Sequence, residues 1–208
     1  MTRVLAIVVF TDIVGSTELR SRVGDDEADR IVARHDAVVG GLIPAHGGRV
    51  VKYLGDGALA TFSSAVDATE AASAIQLRLA DAGPAVRIGI HAGDVDDTGD
   101  DIAGLPVAVA SRLCGIAQPG AVVVSGLVRS LIGVRGEFLF ESLGWPALDG
   151  VAESVEAWTI VPGGAPRRVE PEGLPPINLG RRDRRFIGRG EAMAALDQAF
   201  GRLDRQYL

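Results

Sequence analysis

Two aspartates stand where a metal ion could be held. Asp12 follows the apolar, β-branched run from Arg3 to Phe10, and Asp56 lies between Gly55 and Gly57 in a short turn. The end of one strand and the tip of a hairpin in the same sheet would bring these carboxylates together. Paired carboxylates suit Mg²⁺ or Mn²⁺, hard cations that take oxygen ligands and keep positions open for phosphate oxygens. Each aspartate also has a plainer explanation, Asp56 as a turn residue and Asp12 as a helix cap. Together, flanking the polar stretch Gly15-Ser16-Thr17, they point to a metal and phosphate site. Among other reactive residues, His35, His46 and His91 share no ligand spacing and are expected to be structural or surface groups. Cys114, in an apolar helical stretch, is expected to be a buried small hydrophobe.

The elements that must position Asp12 and Asp56 follow from periodicity. The run Arg3–Phe10 predicts a strand that ends at Thr11 and Asp12, and a helix start follows at Gly15-Ser16-Thr17. Ile31, His35, Val38, Val39, Leu42 and Ile43 recur at helical spacing, which predicts an amphipathic helix over 25–46. Arg49–Leu54 and Ala58–Phe62 are strand-like, and the intervening Asp-Gly predicts a hairpin. Ala68, Ala72, Ile75 and Leu79 predict a second helix over 64–82, and Val86–Ile90 a further strand. Residues 94–101 are acidic and small, hence an expected exposed loop, and Val107–Cys114 is expected to be helical before Pro119 and Gly120. Ala121–Val124, Glu137–Leu143 and Val155–Ile160 supply later strands. This order predicts an α+β fold, a ferredoxin-like βαββαβ core with additional strands and helices, its helices on one face of the sheet.

Composition bounds the function classes. Of 208 residues, 47% are hydrophobic and 23% charged, so the chain is expected to fold around a core. A net charge of −6 argues against a general nucleic-acid or anionic-membrane binder. One cysteine excludes an internal disulfide, and the first apolar run is too short to span a bilayer, so a cytoplasmic location is expected. Proline and glycine become frequent after Ile160, and the expected organisation is a domain over 1–162, a Pro/Gly/Arg-rich linker over 163–185 and a separate segment over 186–208. The arginines at 181, 182, 184, 185 and 189 read as a solvated basic stretch.

Four segments in order carry a resemblance. Phe10-Thr11-Asp12-Ile13-Val14-Gly15-Ser16-Thr17 resembles the metal-binding opening of class III adenylyl and guanylyl cyclases, and Gly48 to Gly57 resembles their second signature. Arg87-Ile88-Gly89-Ile90-His91-Ala92-Gly93, and Asp101-Ile102-Ala103-Gly104 leading to Val109-Ala110-Ser111-Arg112-Leu113, complete the match over about residues 3–161. Phe186-Ile187-Gly188-Arg189 with Glu191–Leu203 resembles the start of a signal-transduction ATPase module, or a helical tail, but no phosphate-binding Lys-Ser/Thr loop follows.

The resemblance implies that the ribose 3′-hydroxyl of a nucleoside triphosphate attacks the α-phosphate and expels pyrophosphate. It implies two Mg²⁺ or Mn²⁺ ions on Asp12, Asp56 and the backbone carbonyl of Ile13. Phosphate oxygens would meet the N–H groups of Val14, Gly15, Ser16 and Thr17. Lys52 and Asp101 match the pair that selects adenine, so ATP is the implied substrate, and Arg112 matches the arginine that stabilises charge on the α-phosphate. Each site in the family is shared between two chains, which implies a homodimer. Two positions depart from the family: Ala108 where an asparagine orients the ribose, and Asp149 where a lysine meets the terminal phosphates. These departures imply low turnover. They also leave open an alternative, a catalytically silent nucleotide-binding and dimerisation module that regulates a downstream ATPase or transcriptional regulator. A phosphoacceptor receiver domain with Asp56 as the acceptor would need parallel strands where a hairpin is predicted, and the acidic double motif of diguanylate cyclases is absent.

Overall fold

The computed structural model of the chain describes residues 2–80, 83–133 and 138–161. The expected linker over 163–185 and the ATPase-like segment over 186–208 lie outside the described residues. The elements run β1 (Thr2–Ile13), α1 (Ser16–Val23), α2 (Asp25–Ala45), β2 (Arg49–Tyr53), β3 (Gly57–Phe62), α3 (Ala65–Ala80), β4 (Val86–Asp97), β5 (Ile102–Ala103), α4 (Leu105–Ile116), β6 (Val122–Ser125), α5 (Gly126–Ile132), β7 (Leu139–Gly144) and β8 (Ala157–Val161). The main path of the sheet is β2-β3-β1-β4-β6-β8-β7, with β5 paired to β4. Its first four strands, in the order β2-β3-β1-β4, form the ferredoxin-like core of an α+β fold. The β4–β6 pair is parallel, and the other strand pairs are antiparallel.

Helices cover both faces of this sheet, contrary to the one-face expectation. Ile7 and Val9 of β1 pack with Val39, Ile43, Ala68, Ala72 and Ile75 of α2 and α3. Val8, between them in sequence, packs with Ala110 of α4 on the other face. Side chains alternate across a strand, so burial of consecutive residues requires a cover on each side. The unbroken apolar run in β1 already carried that signal. Glycine makes the α4 contact close: a Cβ on Gly89 of β4 would lie 2.2 Å from the carbonyl oxygen of Ala110 and 2.3 Å from the amide of Cys114.

Two boundaries differ from expectation in ways that matter to function. β1 continues through Asp12 to Ile13, because those residues pair with β4 as far as Val86. β4 likewise extends to Asp97, pairing with Thr2, so only the end of the acidic segment 94–101 is a turn. In both cases a long antiparallel partner supplies the hydrogen bonds that local composition does not predict. Helix α5 has little local periodicity, and its N-cap Ser125 accepts a hydrogen bond from the Val128 amide.

Candidate active site

Asp12 and Asp56 are backbone neighbours at one end of the sheet. In the β1–β3 ladder Asp12 is opposite Gly57, and the Ile13 amide donates to the carbonyl of Asp56 at 2.7 Å. Gly57 is needed for this approach, since a Cβ there would lie 2.0 Å from the carbonyl oxygen of Thr11. The turn closes with Leu54 N–H donating to Gly57 at 2.8 Å, and Gly55 adopts φ 90°, a left-handed conformation suited to glycine. A buried polar relay lies behind β1. The Ala58 amide donates to Thr11 Oγ1 at 2.9 Å, and Thr11 Oγ1 lies 3.0 Å from Nε2 of fully buried His35. His35 Nδ1 lies 2.8 Å from Asp36 Oδ1, so an Nδ1–H tautomer lets Nε2 accept from Thr11 and satisfies every member.

Each carboxylate is anchored by one oxygen. Ser16 Oγ donates to Oδ2 of Asp56 at 2.6 Å. Arg87, directly opposite Asp12 on β4, donates to Oδ2 of Asp12 through Nε at 3.1 Å and through Nη2. No described residue bonds the Oδ1 atom of either aspartate. Among the described residues no cluster of three or more His, Cys, Asp or Glu side chains forms a metal cage. The donors available are therefore two carboxylates and backbone carbonyls, an oxygen-only set that suits a hard divalent cation completing its shell with water or phosphate. The motif Arg87–Gly93 assigns Arg87 no role by itself; its register partner in β1 reveals one.

The loop after β1 leads into α1, whose first-turn amides have no intrahelical acceptor. Gly15, with φ 64°, turns the chain into this helix. Val14 is different from its neighbours because its N–H already donates to the Ala85 carbonyl at 2.9 Å. A single donor committed to the backbone is not free for phosphate, so the expectation for Val14 gives way to Gly15, Ser16 and Thr17.

Lys52 and Asp101 are brought together on the same chain. Lys52 Nζ donates to Asp101 Oδ2 at 2.6 Å, and both side chains remain substantially exposed. The Lys52 ammonium and then the Ile102 amide, which bonds Oδ1 at 2.8 Å, hold the Asp101 carboxyl below its ordinary pKa. It is thus a permanent acceptor near neutral pH. Arg112 projects from the exposed side of α4 and donates through Nε to the backbone carbonyl of Asp149 at 2.7 Å. Ala108, one turn earlier, is exposed on the same side.

Two other groups in these motifs are internal. His91 Nδ1 lies 2.8 Å from Ser125 Oγ, and burial lowers its pKa to about 4. Cys114 is buried, and burial followed by the charge of Asp12 pushes its thiol up to about 12.

Comparison with known proteins identifies the family and the fold. The family model described as the adenylate and guanylate cyclase catalytic domain matches residues 4–161. A putative adenylate cyclase 3 of Rhizobium meliloti is 32% identical over 168 residues, covering 77% of this chain and 29% of the relative. An adenylate cyclase of Streptomyces coelicolor is 37% identical over 131 residues, covering 62% of this chain and 34% of the relative. The chain thus spans about a third of the length of these curated relatives. The crystal structure of an adenylate/guanylate cyclase/hydrolase from Silicibacter pomeroyi superposes with a TM-score of 0.70 at 31% identity, covering 77% of this chain and 98% of that one. The adenylyl cyclase CyaB from P. aeruginosa shares the fold, with a TM-score of 0.69 at 22% identity over 80% of this chain and 97% of that one. With the family model matching residues 4–161 and the fold shared with a solved relative at 31% identity, the chain belongs to the adenylate and guanylate cyclase catalytic domain family.

Proposed function

We propose that this domain is an adenylyl cyclase that works as a homodimer with composite sites and converts ATP to cyclic AMP and pyrophosphate. The observation that carries the choice of base is the Lys52–Asp101 pair at 2.6 Å. Adenine presents an acceptor at ring N1 beside a donor, the exocyclic amine. A lysine donor beside an ionised carboxylate acceptor complements that edge, whereas guanine presents the reverse order. The relatives named adenylate cyclase support the same choice.

In this reading the O3′–Pα bond forms, the bond from Pα to the leaving pyrophosphate oxygen breaks, and the hydroxyl proton passes to solvent water. Mg²⁺ or Mn²⁺ bound by Asp12, Asp56 and the Ile13 carbonyl would supply positive charge at the phosphates and make the attacking hydroxyl more acidic. Ser16 and Arg87 hold Oδ2 of the two aspartates, which leaves Oδ1 of each for that role. The amides of Gly15, Ser16 and Thr17 at the start of α1 receive phosphate oxygens. Arg112 offers its remaining guanidinium donors to the α-phosphate, with Nε fixed by Asp149. Lys52 and Asp56 lie four residues apart, at the edge and the tip of one hairpin, and serve opposite sites of the dimer. Exposed Tyr53 and Leu54, between Lys52 and Asp56 in sequence, are apolar surface that a second copy would cover. Ala108 and Asp149 predict slow turnover.

The test is product formation from ATP and from GTP with Mn²⁺ across a range of protein concentrations. Cyclic AMP as the main product, with specific activity rising as the chain dimerises, is expected. Mixing inactive Asp12→Ala and Lys52→Ala chains should restore activity through one intact composite site. Cyclic GMP as the main product, or mixtures that stay inactive after verified association, would count against the proposal.

A further inference from the structure

Lys52 and Asp101 are 49 residues apart, one on the edge strand β2 and the other in the turn between β4 and β5. Their contact depends on where that turn sits. Arg49 reaches the turn from the start of β2: Nη2 donates to Asp97 Oδ2 at 2.8 Å and Nη1 to the Gly99 carbonyl at 2.7 Å. The turn is also tied internally. Gly99 N–H donates to Asp97 Oδ1 at 2.7 Å, Thr98 N–H to the Asp101 carbonyl at 3.0 Å, and Asp101 N–H to Thr98 Oγ1 at 3.2 Å. Arg49 therefore grips a pre-formed turn by one side chain and one backbone carbonyl.

The register of β2 makes this possible. Residues 49 and 52 are three apart, and in a regular strand they would point to opposite faces. The ladder shifts between Val50 and Lys52, so that Arg49 is opposite Thr61 and Lys52 is opposite Leu59. Thr61 and Leu59 are two apart on β3, hence the bulge returns Arg49 and Lys52 to one face. Both can then engage the same turn. The ion pairs are partly exposed, with side-chain accessibilities of 42% and 26% for Arg49 and Asp97, so they add little global stability. Their effect is on position.

We infer that Arg49 is a positioning residue for base selectivity, holding the 97–101 turn so that Asp101 stays beside Lys52. This inference rests on the base-selecting reading of that pair. It is tested with the full 208-residue chain in Mn²⁺, measuring displacement of a fluorescent ATP analogue by ATP and by GTP, with hydrogen exchange over residues 97–103. Asp101→Ala should lower the preference for ATP over GTP by on the order of tenfold. Arg49→Ala should lower it several-fold and speed exchange in the turn, Arg49→Lys should recover part of both, and Arg49→Ala should add nothing in the Asp101→Ala background. Equal weakening of ATP and GTP in Arg49→Ala, or an unchanged preference beside a clear effect of Asp101→Ala, would overturn the role of Arg49. Unchanged selectivity in Asp101→Ala would instead overturn the base-selecting reading, and the role of Arg49 in selectivity with it.

Discussion

Arg87 and Asp12 face each other across β4 and β1, and both guanidinium bonds converge on the single oxygen Oδ2 of Asp12. A fixed positive charge thus sits beside the carboxylate proposed to bind a divalent cation. It orients Asp12 before any ligand arrives, but it also repels a second positive charge. Only part of that repulsion survives in a site this open to solvent, with Arg87 and Asp12 side chains 29% and 26% exposed.

Replacement of Arg87 by glutamine should therefore tighten Mn²⁺ binding in the absence of nucleotide, by several-fold at low salt, while lowering product formation because Asp12 loses its orientation. Calorimetric titration of metal into the wild type and variant checks the first effect, and a cyclic-nucleotide assay checks the second. Weaker metal binding in the variant would show that Arg87 acts mainly by orienting Asp12.

The two departures from the family pattern should be separable by kinetics. Ala108 and Arg112 share one exposed side of α4, so Ala108→Asn places a hydrogen-bonding group one turn from Arg112. It is expected to raise kcat by about tenfold or more with little change in KM. Asp149→Lys leaves the backbone carbonyl that Arg112 uses, and should lower the KM for ATP in a salt-sensitive way. No change from the double substitution, with ATP and metal binding intact, would support a regulatory, non-catalytic role.

Gly89 is a close approach between β4 and the helix that carries Arg112. Gly89→Ala forces a methyl group against the Ala110 carbonyl and the Cys114 amide, and should cost roughly 3 kcal/mol in denaturant unfolding. Gly115, on the same helix, has nothing within 4 Å of an added Cβ. Gly115→Ala should be neutral or stabilising by up to about 1 kcal/mol. Similar losses from both substitutions would indicate that helix propensity, not the close approach, governs stability here.

His91 gives a pH dependence of known sign. Its pKa falls from 6.5 in the unfolded chain to about 4 in the fold, because burial penalises the imidazolium. The unfolded state therefore binds more protons between these values, and stability is lost as pH falls from about 6.5 toward 4. Above 6.5 the effect vanishes, since His91 is neutral in both states. His91→Asn, which can retain a bond to Ser125, should flatten the stability profile between pH 6.5 and 5, read as denaturation midpoints. An identical slope in the variant would assign the acid sensitivity to other groups.

Much of this site is local in character and therefore visible in the sequence. The Asp-Gly turn that places Asp56 and the helical spacing of α2 and α3 each depend on a few neighbouring residues, and each appears in the fold. Four short motifs in order were enough to indicate the family, because each carries a backbone requirement, such as glycine at 57 and 89, that few other residues meet. What lay beyond local reading depended on register. That β1 runs through Asp12 to Ile13 follows from its pairing with β4, which also puts Arg87 against Asp12. The commitment of the Val14 amide to Ala85 is another contact between distant segments. The bulge in β2 decides that Arg49 and Lys52 share a face, and no propensity of residues 49–52 specifies it. Sequence thus determined the types of the reactive groups and their local turns; only the tertiary structure decided their partners, because one residue of strand register moves every side chain to the other face.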